Sequence, residues 1–210
     1  LLGNMSGMFR PDYINITDFA KIGQANALAI KVYPIDMPGT IMPKKWGAVG
    51  EYHNGGDGNI GLNTTMLMSV GWDFSLNDGI RDRNTGIWKS ISLYATDKVA
   101  LRNPFIKSDL AKPNYDSSKE AVSVEVVNST QENVSCVVKG EIIGENIAFQ
   151  KEVKLFRGEV RKVDFTPEEF SQLIMKQPRL WWPRFKGEQN LYELKLTAYV
   201  NDKISDVSKT

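Results

Sequence analysis

The residues best suited to chemistry stand in Gly71-Trp72-Asp73-Phe74. A tryptophan beside an aspartate suits sugar. The indole covers the apolar face of a pyranose, and the carboxylate accepts hydrogen bonds from two hydroxyls. A core Trp with a turn Asp is the competing reading of the same two residues. His53 and Cys136 are the only histidine and cysteine. A lone His specifies no mechanism without a nucleophile or orienting carboxylate, so a loop histidine making structural or ligand hydrogen bonds is preferred to a catalytic base. One Cys permits no disulfide within the chain, and one Cys with one His cannot furnish a classical zinc set.

Two further patterns are weaker. Gly56-Asp57-Gly58-Asn59-Ile60-Gly61 matches G-x-G-x-x-G, but a polar loop precedes it and a strand-like run follows. Dinucleotide binding needs a buried strand before the glycines and a helix after them. Calcium-loop spacing is missing as well. A turn that lets backbone approach a ligand or a neighbouring domain is the better account. Leu180-Trp181-Trp182-Pro183 has two readings. Exposed, the tryptophans suggest a sugar platform. Folded back, they plug the end of a sandwich or a seam between domains, and this packing role is preferred because buried Trp is the ordinary case. Arg81-Asp82-Arg83 reads as a network ordering its loop. Asn4, Asn15, Asn63, Asn128 and Asn133 head Asn-x-Ser/Thr triplets, which are glycosylation acceptors only in a eukaryotic secretory context.

The elements that must position these residues are strands and loops. Apolar residues make up 41% and charged residues 24% of the 210, an ordinary soluble composition. With 26 Lys+Arg against 25 Asp+Glu, there is no general electrostatic reason to bind nucleic acid or an anionic membrane. No stretch approaches the ~18 apolar residues of a membrane span. Strand-like runs occur at Leu28–Tyr33, Thr65–Val70 and Gly86–Tyr94. Cleaner alternation follows at Ala121–Val127, Val134–Ile142, Ile147–Phe156, Val160–Phe165 and Leu191–Val200. Strands spaced by ~8–12 residues predict a β-sandwich. Thr166-Pro167-Glu168-Glu169 reads as a capping box with proline at the first helical position, predicting a short helix that stops before Pro178. Residues 34–62 hold three prolines and seven glycines, a long loop of the kind that is often functional. The two halves are expected to divide near Leu101–Pro104.

Taken in order, Gly7-Met8-Phe9, Tyr13–Thr17, Asn26–Val32, Gly71–Phe74, Asp82–Trp88, Val99–Arg102, Pro178–Pro183 and Asn190–Leu194 resemble glycoside hydrolase family 2. The resemblance covers nearly the whole chain and is closest to the exo-β-glucosaminidase and β-mannosidase-like branch. It implies an all-β chain: the later part of a jelly-roll (galactose-binding-like) sugar-binding domain over residues 1–102, then an immunoglobulin-like β-sandwich over 103–210. The family's two catalytic glutamates sit on a TIM barrel, where a retaining mechanism needs two carboxylates facing one glycosidic bond. Neither has a counterpart here, so no catalytic residue is assigned and the segment alone is expected to be inactive. In β-mannosidase-like members the Trp-Asp loop reaches the barrel's active site, which carries over to Trp72 and Asp73 as substrate-binding residues. Where relatives have Trp after this Asp, Phe74 stands here. The resemblance implies a carbohydrate substrate, the barrel of the same parent chain as partner, no cofactor or metal, and a periplasmic or extracellular setting. A free-standing lectin-like module and a purely structural pair of sandwiches are the rival readings.

Overall fold

A computed structural model describes residues 1–5, 11–32, 87 and 89–210. It separates into two compact units, Leu1–Ser92 and Leu93–Thr210. The described part of the first unit is turns and irregular chain. Asn15 organises one turn, its Oδ1 accepting from the Thr17 backbone N–H (2.9 Å) and hydroxyl (2.6 Å). This is the local bond that makes Asn a turn former. The strands expected at 28–33 and 86–94 are not formed over their described residues. Leu28, Ile30, Ile91 and Leu93 are all exposed.

The second unit is all β. Its strands are β1 (Val99–Leu110), β2 (Ser117–Asn128), β3 (Val134–Ile142), β4 (Ile147–Leu155), β5 (Val160–Phe165), β6 (Ile174–Lys176), β7 (Leu194–Val200) and β8 (Lys203–Lys209). Every strand pair is antiparallel. One sheet runs β1-β2-β5, with β6 also on β2, and the other runs β4-β3-β7-β8. β5 and β6 share one edge of β2, at residues 122–127 and 117–119 respectively. Two such sheets with strands crossing between them form the immunoglobulin-like arrangement.

Alternation places the core between the sheets. Val122, Val124 and Val126 of β2 are buried, as are Val134, Cys136, Val138 and Ile142 of β3, with Phe149, Val153, Leu155, Val163 and Phe165 from β4 and β5. Facing residues are those whose period-2 spacing marks them in sequence. Rings of Phe149, Phe165 and Phe170 cluster with centroids 4.8–6.0 Å apart, a spacing typical of tilted aromatic pairs. Gly140 lies opposite Phe149 in the ladder, and a Cβ there would overlap the Phe149 ring. The missing side chain makes room for the ring across the strand.

The helix expected after Thr166 is a correction. One turn forms, with Phe170 N–H donating to Thr166 O at 2.8 Å. Phe170 then leaves helical geometry, Ser171–Leu173 make a 3-10 turn, and Ile174 enters β6. Three forces compete with the helix here. The Phe170 ring joins the core trio, Leu173 is fully buried, and residues 174–176 pair with Lys119–Ser117 of β2. Glu169, which a capping box would turn back to the Thr166 N–H, instead accepts from Lys151 Nζ at 2.6 Å.

Side-chain bonds close the sandwich along one side. Ser205 on β8 is buried. Its hydroxyl donates to Val99 O and accepts from Val99 N–H, both at 2.8 Å. Asp206 Oδ2 accepts from Leu101 N–H at 2.7 Å. The start of β1 is thereby tied to the opposite sheet before an irregularity between Arg102 and Phe105, where Asn103 has φ 50°. Asn128, fully buried, is no glycosylation acceptor in this fold. Its amide donates to Glu132 O and Phe156 O, and its Oδ1 accepts from the Thr130 N–H and hydroxyl.

Candidate functional site

Trp72 and Asp73, the residues assigned to sugar binding, lie outside the described residues, as do His53, the 56–61 glycines, Arg81–Arg83 and Trp88. Among the described residues, chemistry-bearing side chains concentrate on the loop between β6 and β7.

That loop is braced throughout. Gln177 N–H donates to Asp116 O at 2.7 Å. Trp181 bridges to Gln189, Trp182 N–H donates to Glu188 O at 2.9 Å, and Lys186 N–H donates to Pro183 O at 2.9 Å. Asn190 Nδ2 donates to Leu180 O at 3.0 Å. Residues 180–190 thus double back as a small hairpin-like finger. Gly187 lies against Trp182, where a Cβ would come within 2.6 Å of the indole Cδ1. Arg179 ties the base of the finger to the β3–β4 turn. Its guanidinium sits 4.7 Å from the Tyr192 ring centroid and bonds Glu145 at 3.0 Å, while its backbone N–H donates to the Tyr192 hydroxyl at 2.6 Å. Those partners, Glu145 first, raise the Arg179 pKa further. Tyr192 itself packs on the core.

Of the two packing places expected for the tandem tryptophans, the plug at the end of the sandwich is corrected here. Trp181 is 53% and Trp182 42% exposed, with Phe185 at 90% and Leu191 at 78%. The indoles do not plug the sandwich; Tyr192 and the buried residues of β7 supply the apolar groups there.

Three other clusters read as structure. Lys151 donates to Asp164 O (2.9 Å) and Glu169 (2.6 Å) and lies over the Phe165 and Phe170 rings. It belongs to a shallow groove of about 370 Å³ between β4 and β5, where Lys154, Arg161 and Lys162 alternate with Glu152 and Asp164. Most of these charges are paired, Lys151 with Glu169, Arg161 with Glu159 and Lys162 with Asp164, as on an ordinary solvated surface. Glu120 is a buried carboxylate held by the Ser108 and Ser118 hydroxyls, each at 2.5 Å. Cys136 is buried and its thiol is pushed up to about 11 by burial, which keeps it in the unreactive protonated form. Among the described residues no group of three or more His, Cys, Asp or Glu is placed to hold a metal, and no helix is long and apolar enough to cross a membrane.

Two antiparallel sheets packed as an immunoglobulin-like sandwich define a β-sandwich module. The model of glycosyl hydrolases family 2 matches residues 99–210, from the first residue of β1 to the end of the chain, and the chain belongs to that family. Over 206 residues it is 32% identical to the mannosylglycoprotein endo-β-mannosidase of Lilium longiflorum, a match covering 92% of this chain and 20% of that protein. It is 31% identical to the exo-β-D-glucosaminidase of Hypocrea virens, over 61% of this chain and 14% of the relative. Among solved structures, the exo-chitosanase of Amycolatopsis orientalis is similar at 28% identity and TM-score 0.48, covering 55% of this chain and 13% of that one. The chain therefore spans a fifth or less of the length of these relatives.

Of the described features, β1, β6, β8 and the Val99–Ser205 clasp escape a reading of the sequence by periodicity. The sequence signal for β8 is Asn201-Asp202, both at positive φ (48° and 61°), the pair a two-residue I′ hairpin demands.

Proposed function

We propose that this chain is the non-catalytic accessory segment of a retaining, exo-acting β-glycosidase. The sandwich that opens with β1 at Val99 is its immunoglobulin-like domain, and the residues before it are the later part of its jelly-roll sugar-binding domain. Trp72 and Asp73 line the terminal-sugar subsite of a catalytic TIM barrel in the same parent chain, the indole covering a pyranose face and the carboxylate accepting from two hydroxyls. The observation that carries the reading is the family match over 99–210. The exo-acting relative supports the mode of attack. Catalysis belongs to the parent, because hydrolysis with retention needs two carboxylates about 5–5.5 Å apart across one bond. The test is direct: the purified 210 residues are expected to release no aglycone from aryl β-glycosides under conditions where the parent turns them over. Turnover that survives removal of contaminating enzyme contradicts the reading.

One observation favours a second reading of the cleavage mode. The relative matched over 92% of this chain is an endo-β-mannosidase acting on mannosylglycoprotein. On that reading the parent cleaves within a glycan, and the same Trp-Asp pair holds an internal mannose. Product analysis on a β-linked oligosaccharide separates the two, since an exo enzyme releases monosaccharide from the first minute and an endo enzyme releases none.

A further inference from the structure

We propose that Lys151 keeps a second copy of this chain from adding a strand to the outer edge of β4. This guard is built into the sandwich and is independent of the roles given above to Trp72 and Asp73.

β4 ends the sheet β4-β3-β7-β8, and among the described residues no strand pairs with its outer side. A strand so placed offers unpaired N–H and C=O groups as a template for another chain. Its side chains alternate. Phe149, Val153 and Leu155 are buried, while Ala148, Gln150, Glu152 and Lys154 are exposed. Lys151 falls in the inward set, between Phe149 and Val153, and is the charged residue on that face of the strand. An inward-pointing charge on an edge strand is a known protection against strand addition.

The local bonds show how the charge is tolerated. Nζ lies 5.5 Å from the Phe165 and 5.7 Å from the Phe170 ring centroid, and the ammonium emerges in the gap between the two sheets. There it donates to the Asp164 carbonyl of β5 at 2.9 Å and to Glu169 at 2.6 Å, with 29% of the side chain still exposed. Gln172 reaches the other way and donates to the Ala148 carbonyl of β4 at 2.8 Å. One carbonyl on each facing edge is thus taken by a side chain from across the gap. A strand laid along β4 extends the sheet over this gap and strips water from the ammonium, and a charge so buried is costly. An uncharged residue at 151 carries no such penalty and leaves the inward row from Phe149 to Leu155 open to a partner strand.

Sedimentation velocity over a concentration series compares the native chain with Lys151→Met, Lys151→Thr, Lys151→Arg and Lys139→Met. Lys139 is exposed on the interior strand β3. Its loss lowers the formal net charge of +1 by the same single unit, which separates edge protection from reduced charge repulsion. Lys151→Met and Lys151→Thr are expected to self-associate about tenfold or more tightly than the native chain, while Lys151→Arg and Lys139→Met sediment as it does. Hydrogen exchange in the associated Met variant gains protection across Ile147–Leu155. Failure of either folded variant, Met or Thr, to associate overturns the proposal. So does association that Lys139→Met reproduces, or that leaves exchange across 147–155 unchanged. Loss of the β-sheet circular dichroism in both the Met and Thr variants at low concentration also overturns it, because the lysine would then hold the fold rather than guard its edge.

Discussion

Gly140 shows how much one absent side chain decides. It faces Phe149 across the β3–β4 ladder, and the ring occupies the space a Cβ would take. Phe149 is 3% exposed and locked among Phe165 and Phe170, so it cannot swing away cheaply. Gly140→Ala is expected to cost about 1–3 kcal/mol, the usual penalty of overpacking a filled core. Chemical denaturation at constant m-value measures it, and a variant as stable as the parent sequence would mean the ring relaxes freely. Valines at 122, 124 and 126 announce their burial by spacing. Gly140 announces nothing, because its meaning depends on which residue lies opposite, and register is a property of two strands.

At the scale of elements, the sandwich is held where its sheets meet. The Val99–Ser205 pair joins β1 to β8. Ser205→Ala leaves a buried backbone N–H and carbonyl without that partner, a loss of about 1–3 kcal/mol. A melting temperature unchanged by the substitution would assign the clasp no weight. The turn from β4 to β5 has its own pH signature. The Phe156 backbone N–H, then Arg161, hold the Glu159 carboxylate below its ordinary 4.5. A carboxylate whose pKa is depressed on folding stabilises above its unfolded value and loses that contribution as pH falls through the folded one. The Tm gap between the native chain and Glu159→Gln is therefore present at neutral pH and closes below pH 4.5. A gap constant across that range contradicts the assignment. Strands β3 and β5 are legible to the residue because their alternation is strict and both faces are distinct. The signals for a helix after Thr166 mislead because they are local, while the Phe170 ring and the β2 ladder that override them come from distant sequence.

Across the whole molecule, fold class and family are legible in the amino-acid sequence alone. Alternating strands spaced by turns specify a sandwich, and the ordered run from Val99–Arg102 to Pro178–Pro183 and Asn190–Leu194 specifies the family, which the match over 99–210 bears out. The exposure of Trp181 and Trp182 is not legible there, since burial of an indole depends on what packs over it rather than on residue type. The sugar-binding assignment of Trp72 and Asp73 rests on chemistry and resemblance together, and it is the hinge of the functional account. Its most direct test is kcat/KM of the full-length parent enzyme carrying Asp73→Ala, on its preferred β-glycoside. Losing two charge-assisted hydrogen bonds to the sugar predicts a drop worth on the order of 2–4 kcal/mol in transition-state binding. An unchanged kcat/KM contradicts the role given to Asp73.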